Sequence, residues 1–292
     1  MRGNAEAHEL IAPGSLETVL ALLAEAPGEW TPIAGGTELM VAHAAGRLNA
    51  AKLVSLWGIP DLRSIEKATE ALRIGACVPF CDLRRDETVA ADFPLLAEAA
   101  SWIGAIANQS RATVGGNLVN GSPAADSSPA LLVYDAELEL ISVRGTRVIP
   151  YAQFHSGYKK NVLESDELVA AIRLPRRFAR HRQYLRKVGT RRAMAIAKVA
   201  LAGTALLESG VVKEIRLAAA SLAPFPTRLP KTEAVLVGEP VTDALIASAR
   251  ETLLAEGQPI DDIRSTASYR KGVGANLLEE FLRCLQREGA EG

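Results

Sequence analysis

Apolar and polar positions alternate with two different periods along this chain, and the two periods predict where helices and strands lie. Residues 15–26 have apolar side chains at helical spacing behind Ser15, whose hydroxyl is suited to cap a helix. A second helix is predicted at 38–45, and short strands are predicted at 29–34 and 52–56. The chain is therefore predicted to begin with a small helix-and-strand unit in which a Gly-Gly-Thr turn follows a strand.

The middle of the chain combines strands with apolar helices. Residues 137–143 and 146–149 alternate around Arg144-Gly145, as the two strands of a hairpin do. The other elements predicted here are strands at 72–78 and 168–174 and helices at 93–107 and 124–135.

The last third of the chain places its strands before its helices. Strands are predicted at 183–188, 195–207 and 212–220, followed by helices at 231–237, 242–256 and 269–287. That order indicates a separate α+β unit with an antiparallel sheet. The basic run RRFARHR at 176–182, which precedes the unit, has no apolar period, and we interpret it as a solvated linker or a partner-facing surface.

Composition excludes several classes of protein. The chain has 292 residues and a formal net charge of -1, a balance that argues against a dedicated nucleic-acid binder. No apolar run approaches the roughly 20 residues of a membrane span, and the first ten residues lack the apolar core of a secretory signal, so we expect a cytoplasmic protein. Cys77, Cys81 and Cys284 do not have the spacing of a disulfide framework or a metal site, and no metal is predicted.

Two glycine-rich segments concentrate the candidate binding chemistry, PIAGGTEL at 32–39 and RATVGGNLVNGSPAADSSPALLVYD at 111–135. Successive N–H groups in a Gly-Gly turn can converge on an anion, and Thr37 and Asn117 add side-chain donors. Two such loops would suit a diphosphate, and Asp126 could accept hydrogen bonds from a ribose or other hydroxyls. The glycines could instead serve only turns and close backbone packing.

Sequence templates for other chemistry are missing. There is no GxGxxG after the first strand, no GxxxxGK[ST] and no GxSxG, and no Cys/His pair indicates a nucleophile. No catalytic residue is predicted, and we expect the chain to hold a cofactor that carries the chemistry.

These segments resemble the signatures of the FAD-binding medium subunit of the molybdenum hydroxylases, the family of the xanthine dehydrogenases and aerobic carbon monoxide dehydrogenases. The similarity is carried by AGGTEL at 34–39 and by ATVGGNLVNGSPAAD at 112–126. Three later segments match in order, FHSGYKKNVLESDEL at 154–168, YLRKVGTRRAMAIAKV at 184–199 and DIRSTASYR at 262–270. The resemblance covers essentially the whole chain.

The resemblance implies an α+β architecture. An FAD-binding fold of the vanillyl-alcohol oxidase (PCMH) type would span residues 1–176, with subdomains at about 1–56 and 57–176. A small C-terminal α+β domain of the carbon monoxide dehydrogenase flavoprotein type, an antiparallel sheet plus helices, would span 183–289.

The resemblance also implies which residues hold FAD without a covalent link. The two glycine loops would hold the diphosphate from opposite sides, Asp126 would bind a polar part of FAD, and Leu163 (or Val162) would touch the adenine side. Lys187 would lie close to the polar edge of the flavin, where a cation stabilises the reduced form, and Ile103 falls where some relatives place an aromatic near the ring. The implied set is Pro32, Ile33, Ala34, Gly35, Gly36, Thr37, Glu38, Leu39, Ile103, Thr113, Val114, Gly115, Gly116, Asn117, Asp126, Leu163 and Lys187.

Partner chains would carry the remaining cofactors of such a system. A large subunit would hold molybdopterin and a small one the 2Fe–2S clusters, in a dimer of heterotrimers, and electrons would leave this FAD for NAD, a quinone or oxygen. The alternative is a free-standing FAD-dependent oxidase or dehydrogenase with its own small-molecule substrate. Free-standing relatives often tether FAD through a His or Cys near the glycine loops, and neither loop here contains one.

Overall fold

The computed structural model describes residues 4–191 and 193–289. A small parallel sheet with the strand order β1–β3–β2 forms the first unit. The two helices and two of the three strands in this unit confirm the predicted elements. The remaining strand, β1, is not predicted, because its sequence is short, largely exposed and without apolar alternation. In chain order they are β1 (Glu9–Ile11), α1 (Leu16–Glu25), β2 (Trp30–Ile33), α2 (Leu39–Ala44) and β3 (Lys52–Ser55). The predicted cap of α1 is present, since the Ser15 hydroxyl accepts the N–H of Thr18 at 3.2 Å.

A five-stranded antiparallel sheet with the order β4–β5–β10–β6–β7 forms the second unit. The predicted hairpin around Arg144 and Gly145 is confirmed as β6 and β7. The elements are β4 (Ile65–Lys67), β5 (Ala71–Gly75), α3 (Phe80–Arg85), α4 (Glu87–Asp92), α5 (Pro94–Ser101), α6 (Ile106–Gln109), α7 (Val114–Asn120), α8 (Ser128–Val133), β6 (Glu137–Ser142), β7 (Gly145–Pro150), β8 (His155–Gly157), β9 (Lys160–Asn161) and β10 (Leu168–Pro175).

Two predicted helices in this unit are wrong in extent. The helix predicted at 93–107 ends at Ser101 and resumes as α6, because Gly104 has a φ of +48° that a right-handed helix cannot contain. The helix predicted at 124–135 is only α8. Pro129 lies in its first turn and Asp135, with a φ of +50°, follows its end.

The C-terminal unit is a four-stranded antiparallel sheet with the order β11–β12–β13–β14, covered by helices. Its elements are β11 (Arg182–Val188), β12 (Val199–Glu208), β13 (Val211–Ala220), β14 (Thr227–Arg228), α9 (Pro230–Leu236), α10 (Asp243–Glu256) and α11 (Ala267–Gly289). The predicted order of strands and then helices is confirmed. Residues 195–198, predicted as strand, instead form a loop before β12. No helix in the described part of the chain is long and apolar enough to cross a membrane.

The basic run at 176–182 is not a free linker, because its arginines form ion pairs with the flanking units. Arg177 donates to Asp135 at 2.5 Å and to Glu214 at 3.0 Å. Asp135 also accepts from Arg228 at 2.8 Å and from Arg216 at 3.2 Å. One carboxylate at the end of α8 therefore connects the second unit to the C-terminal sheet, and the apolar cores of the two units are also continuous.

Candidate functional site

A cleft of about 1000 Å3 is lined by residues from all three units. Every residue of the implied FAD set lies on its wall except Ile33, Val114 and Lys187. Val114 is fully buried in the apolar core of the second unit. The lining residues fall mainly within segments 31–39, 103–126, 158–169, 194–197 and 260–270.

The loop after β2 leaves its backbone donors unpaired. Among the described residues, the N–H groups of residues 34–37 have no hydrogen-bond acceptor, and all four residues line the cleft. Gly36 has a φ of +73°, in the region that favours glycine. Gly35 packs so closely on the Arg111 backbone that a Cβ would overlap its carbonyl group. The loop therefore offers a group of free N–H donors, which suits the oxygens of an anion.

The second glycine segment does not form the predicted turn of converging donors, because it is the first turn of α7. The Gly115 N–H donates to the carbonyl of Ala76 at 2.8 Å, and the Gly116 N–H donates to the Thr113 hydroxyl at 3.2 Å. A Cβ at Gly115 would collide with Ala76. These glycines thus serve close packing and a helix cap, which leaves side chains to contact a ligand from this side. The side chain of Asn117 is half-buried on the wall, and its Oδ1 accepts from Ser127 at 2.7 Å.

Asp126 and Lys187 form a buried ion pair. Lys187 Nζ lies 2.7 Å from Asp126 Oδ2, and the two side chains are 11% and 10% exposed. Burial raises the pKa of Asp126 to about 6, with the Lys187 ammonium opposing this rise. The other oxygen, Oδ1, is buried and has no donor among the described residues. Asp126 can therefore accept a hydrogen bond from a hydroxyl or N–H of a ligand in the cleft.

Several charged residues on the wall are absent from the implied set. Lys159 lies in the turn between β8 and β9, and its Nζ approaches Glu38 to 3.2 Å, between the first two units. Arg264 and Arg270 contribute positive charge from the C-terminal unit. All three lie within signature segments read from the sequence, but a basic residue in a motif does not by itself show which way it faces.

The donors and acceptors of the cleft fit FAD. The unpaired N–H groups of residues 34–37 suit the diphosphate, and the unpaired oxygen of Asp126 suits a hydroxyl-bearing part of the same molecule. Leu163 and Ile103 add apolar surface to the wall for ring systems. No group of three or more His, Cys, Asp or Glu residues that could hold a metal ion is found within 4–191 and 193–289.

Most of the chain is similar to flavoprotein subunits of known enzymes. Residues 6–177 match the family described as FAD binding domain in molybdopterin dehydrogenase, and residues 184–285 match the CO dehydrogenase flavoprotein C-terminal domain. The xanthine dehydrogenase FAD-binding subunit of Escherichia coli O157:H7 is 32% identical over 258 residues, which cover 88% of each chain.

This chain is also similar to carbon monoxide dehydrogenases, both in sequence and in structure. The medium chain of the Hydrogenophaga pseudoflava enzyme is 27% identical over 94% of this chain and 95% of that one. A solved structure of the H. pseudoflava enzyme that lacks the Mo-pyranopterin moiety aligns with a TM-score of 0.91 at 28% identity, covering 96% of each chain. The chain therefore belongs to the family of FAD-binding subunits of the molybdenum hydroxylases.

Proposed function

We propose that this chain is the electron-transfer subunit of a heteromeric molybdenum hydroxylase, with FAD bound non-covalently in the cleft. The observation that carries the proposal is the unpaired set of N–H donors at residues 34–37, in the same cleft as the unpaired carboxylate oxygen of Asp126. A bound FAD supplies the redox chemistry, while the protein supplies its position and the charge around it.

The proposed roles of the wall residues follow from their free atoms. The loop of residues 32–39 donates N–H groups to the diphosphate, and Thr37 adds a hydroxyl. The segment of residues 113–117 shapes the opposite wall by close packing, with Asn117 as its polar side chain. Asp126 accepts from a hydroxyl or N–H of the cofactor, and Leu163 packs on the adenine side.

The names of similar proteins support the proposal that this chain has partner subunits. Relatives are an FAD-binding subunit and a medium chain, which are names for parts of larger enzymes. We assign substrate oxidation to a large molybdopterin subunit and electron delivery to a small 2Fe–2S subunit, in a cytoplasmic dimer of heterotrimers. Electrons then enter and leave through the cofactor held by this chain.

Comparing the full chain alone with the chain co-expressed with its partner subunits tests this function. We expect the isolated chain to bind FAD and to show negligible substrate oxidation, and we expect the assembled complex to oxidise substrate. Robust substrate oxidation by the isolated flavoprotein would overturn the proposal in favour of a free-standing flavin enzyme. Failure of affinity-tagged chain to copurify a molybdopterin subunit and a cysteine-rich subunit would also contradict it.

A further inference from the structure

The charge of Lys187 is already neutralised within the protein. Its ammonium pairs with Asp126 at 2.7 Å, both side chains are nearly buried, and Lys187 is not on the cleft wall. A paired lysine behind the wall contributes little net positive charge to a ligand. A cation that stabilises a reduced flavin in this cleft must therefore come from another residue.

Arg270 is a buried guanidinium on the cleft wall with a free donor. It lies in the first turn of α11 and is 3% exposed. Its Nη1 donates to the Lys198 carbonyl at 2.9 Å, and its Nη2 donates to Asp262 Oδ1 at 2.6 Å. The Nε–H is buried and has no acceptor among the described residues. A buried donor left unpaired is unfavourable, so an acceptor atom from a ligand would stabilise this arrangement.

The cluster around Arg270 keeps a net positive charge. Asp262 forms ion pairs with both Arg270, at 2.6 Å, and Arg264, at 3.2 Å, so one carboxylate faces two guanidinium groups. Burial opposes ionisation of Asp262, but the N–H groups of Arg264 and Ser265 and the Arg270 guanidinium outweigh it, and the pKa of Asp262 lies below its ordinary value. The carboxyl is thus ionised at neutral pH, and one positive charge remains uncompensated within this group of three side chains.

Contacts through β12 connect Arg270 to Lys187, which lies beside Trp102, the neighbour of Ile103. The Lys198 carbonyl, which accepts from Arg270, is two residues from Ala200, the partner of Lys187 across the β11–β12 ladder. The Lys187 ammonium in turn lies 5.9 Å from the ring of Trp102, the neighbour of Ile103. This region is where the family resemblance implies the flavin ring, whereas it implies the adenine at Leu163.

We infer that Arg270, and not Lys187, is the positive residue that acts on the flavin, with its Nε–H donating to an acceptor atom on the polar edge of the ring. The inference rests on the proposed function, because it requires FAD in the cleft. A positive charge beside the flavin favours its reduced form and so raises its reduction potential. Asp262 moderates this effect, because its negative charge offsets part of the positive electrostatic potential of Arg270.

The test is the reduction potential of FAD bound to the full chain, measured by equilibration with a reference dye. Arg270→Gln should shift the potential to more negative values, and Asp262→Asn should shift it the other way. Arg270→Lys, which keeps the charge, should stay closer to the wild type. Arg250→Gln is the matched control, because Arg250 also pairs with a carboxylate and a backbone carbonyl of the C-terminal unit but lies away from the cleft wall.

Bound FAD is quantified in every variant, which separates the two proposals. Absence of FAD from the wild type would contradict the proposed function itself. FAD retained in Arg270→Gln and in Asp262→Asn with an unchanged potential would overturn the inference alone. If Arg270→Gln loses FAD while Arg270→Lys and the control retain it, a positive charge at position 270 is confirmed as a requirement for binding the cofactor. If both Arg270 variants fail to fold, the sign of the shift in Asp262→Asn decides.

Discussion

Replacing Lys187 with methionine should destabilise the FAD-free protein by an amount that depends on pH. Burial already raises the pKa of Asp126 to about 6 in the presence of the Lys187 ammonium, and removing the ammonium raises it further. Below about pH 6 the carboxyl is largely neutral in both folded proteins, so its contribution to their stability is similar. Above about pH 6 only the wild type ionises Asp126 readily, and the variant loses stability relative to it.

The magnitude follows from the pKa of the pair. Each pH unit above the wild-type pKa at which the folded variant keeps Asp126 protonated costs the variant about 1.4 kcal/mol of stability relative to the wild type. At about pH 8, two units above that pKa, the relative loss is about 3 kcal/mol. Folding raises the pKa of Asp126, so the folded protein binds more protons than the unfolded chain at pH values between the unfolded and folded pKa. Stability therefore falls as pH rises through this range, which extends to higher pH in the variant. Loss of lysine packing adds a contribution that does not vary with pH.

The assay is urea unfolding of the FAD-free full chain at about pH 6 and about pH 8. We expect the midpoint of Lys187→Met to fall further below that of the wild type at the higher pH. The double variant Asp126→Asn with Lys187→Met is the control, because it has no carboxyl at position 126 to titrate and its difference from the wild type should be the same at both pH values. An equal loss for the single variant at both pH values would show that Lys187 does not control the ionisation of Asp126.

Three further substitutions or treatments test other parts of the structure. Asp135→Asn should lower the free energy of unfolding by about 2 kcal/mol, because the carboxylate that joins three arginines is lost, whereas exposed Asp61→Asn should leave the urea midpoint unchanged. Gly35→Ala should strongly reduce the flavin-to-protein absorbance ratio, because its methyl group displaces the loop from the neighbouring backbone; Gly14→Ala, with open space around it, should not. Cys77 should resist a thiol reagent near neutral pH until urea is added, because burial raises its pKa to about 12; rapid labelling of Cys77 in the folded protein would contradict this.

Local signals in the sequence were sufficient for most elements. The cap at Ser15 and the hairpin around Arg144 and Gly145 depend on residues close together in the chain, and both are present. The helix predicted at 93–107 failed because its apolar period continues through Gly104, whose left-handed backbone interrupts it. Periodicity alone does not report the φ of a single glycine.

The geometry of the site depends on contacts between segments that are distant in the chain, and the sequence alone does not predict those contacts. Gly115 is required by the approach of Ala76 rather than by an anion, a cause that lies far away in sequence. Lys187 pairs with Asp126, which is 61 positions away, so its neutralisation is visible only in the fold. Arg270 ends a recognised segment, but its burial and its free Nε–H come from packing against β12 and Asp262.

The flavin content of the purified full chain tests whether FAD is held non-covalently in the cleft. The protein is saturated with FAD, freed of excess cofactor and precipitated with acid, and the flavin in the supernatant is compared with the protein. We expect about one FAD per chain in the supernatant, with little left in the wild-type pellet. A flavin-free protein, or flavin that stays with the acid precipitate, would contradict it.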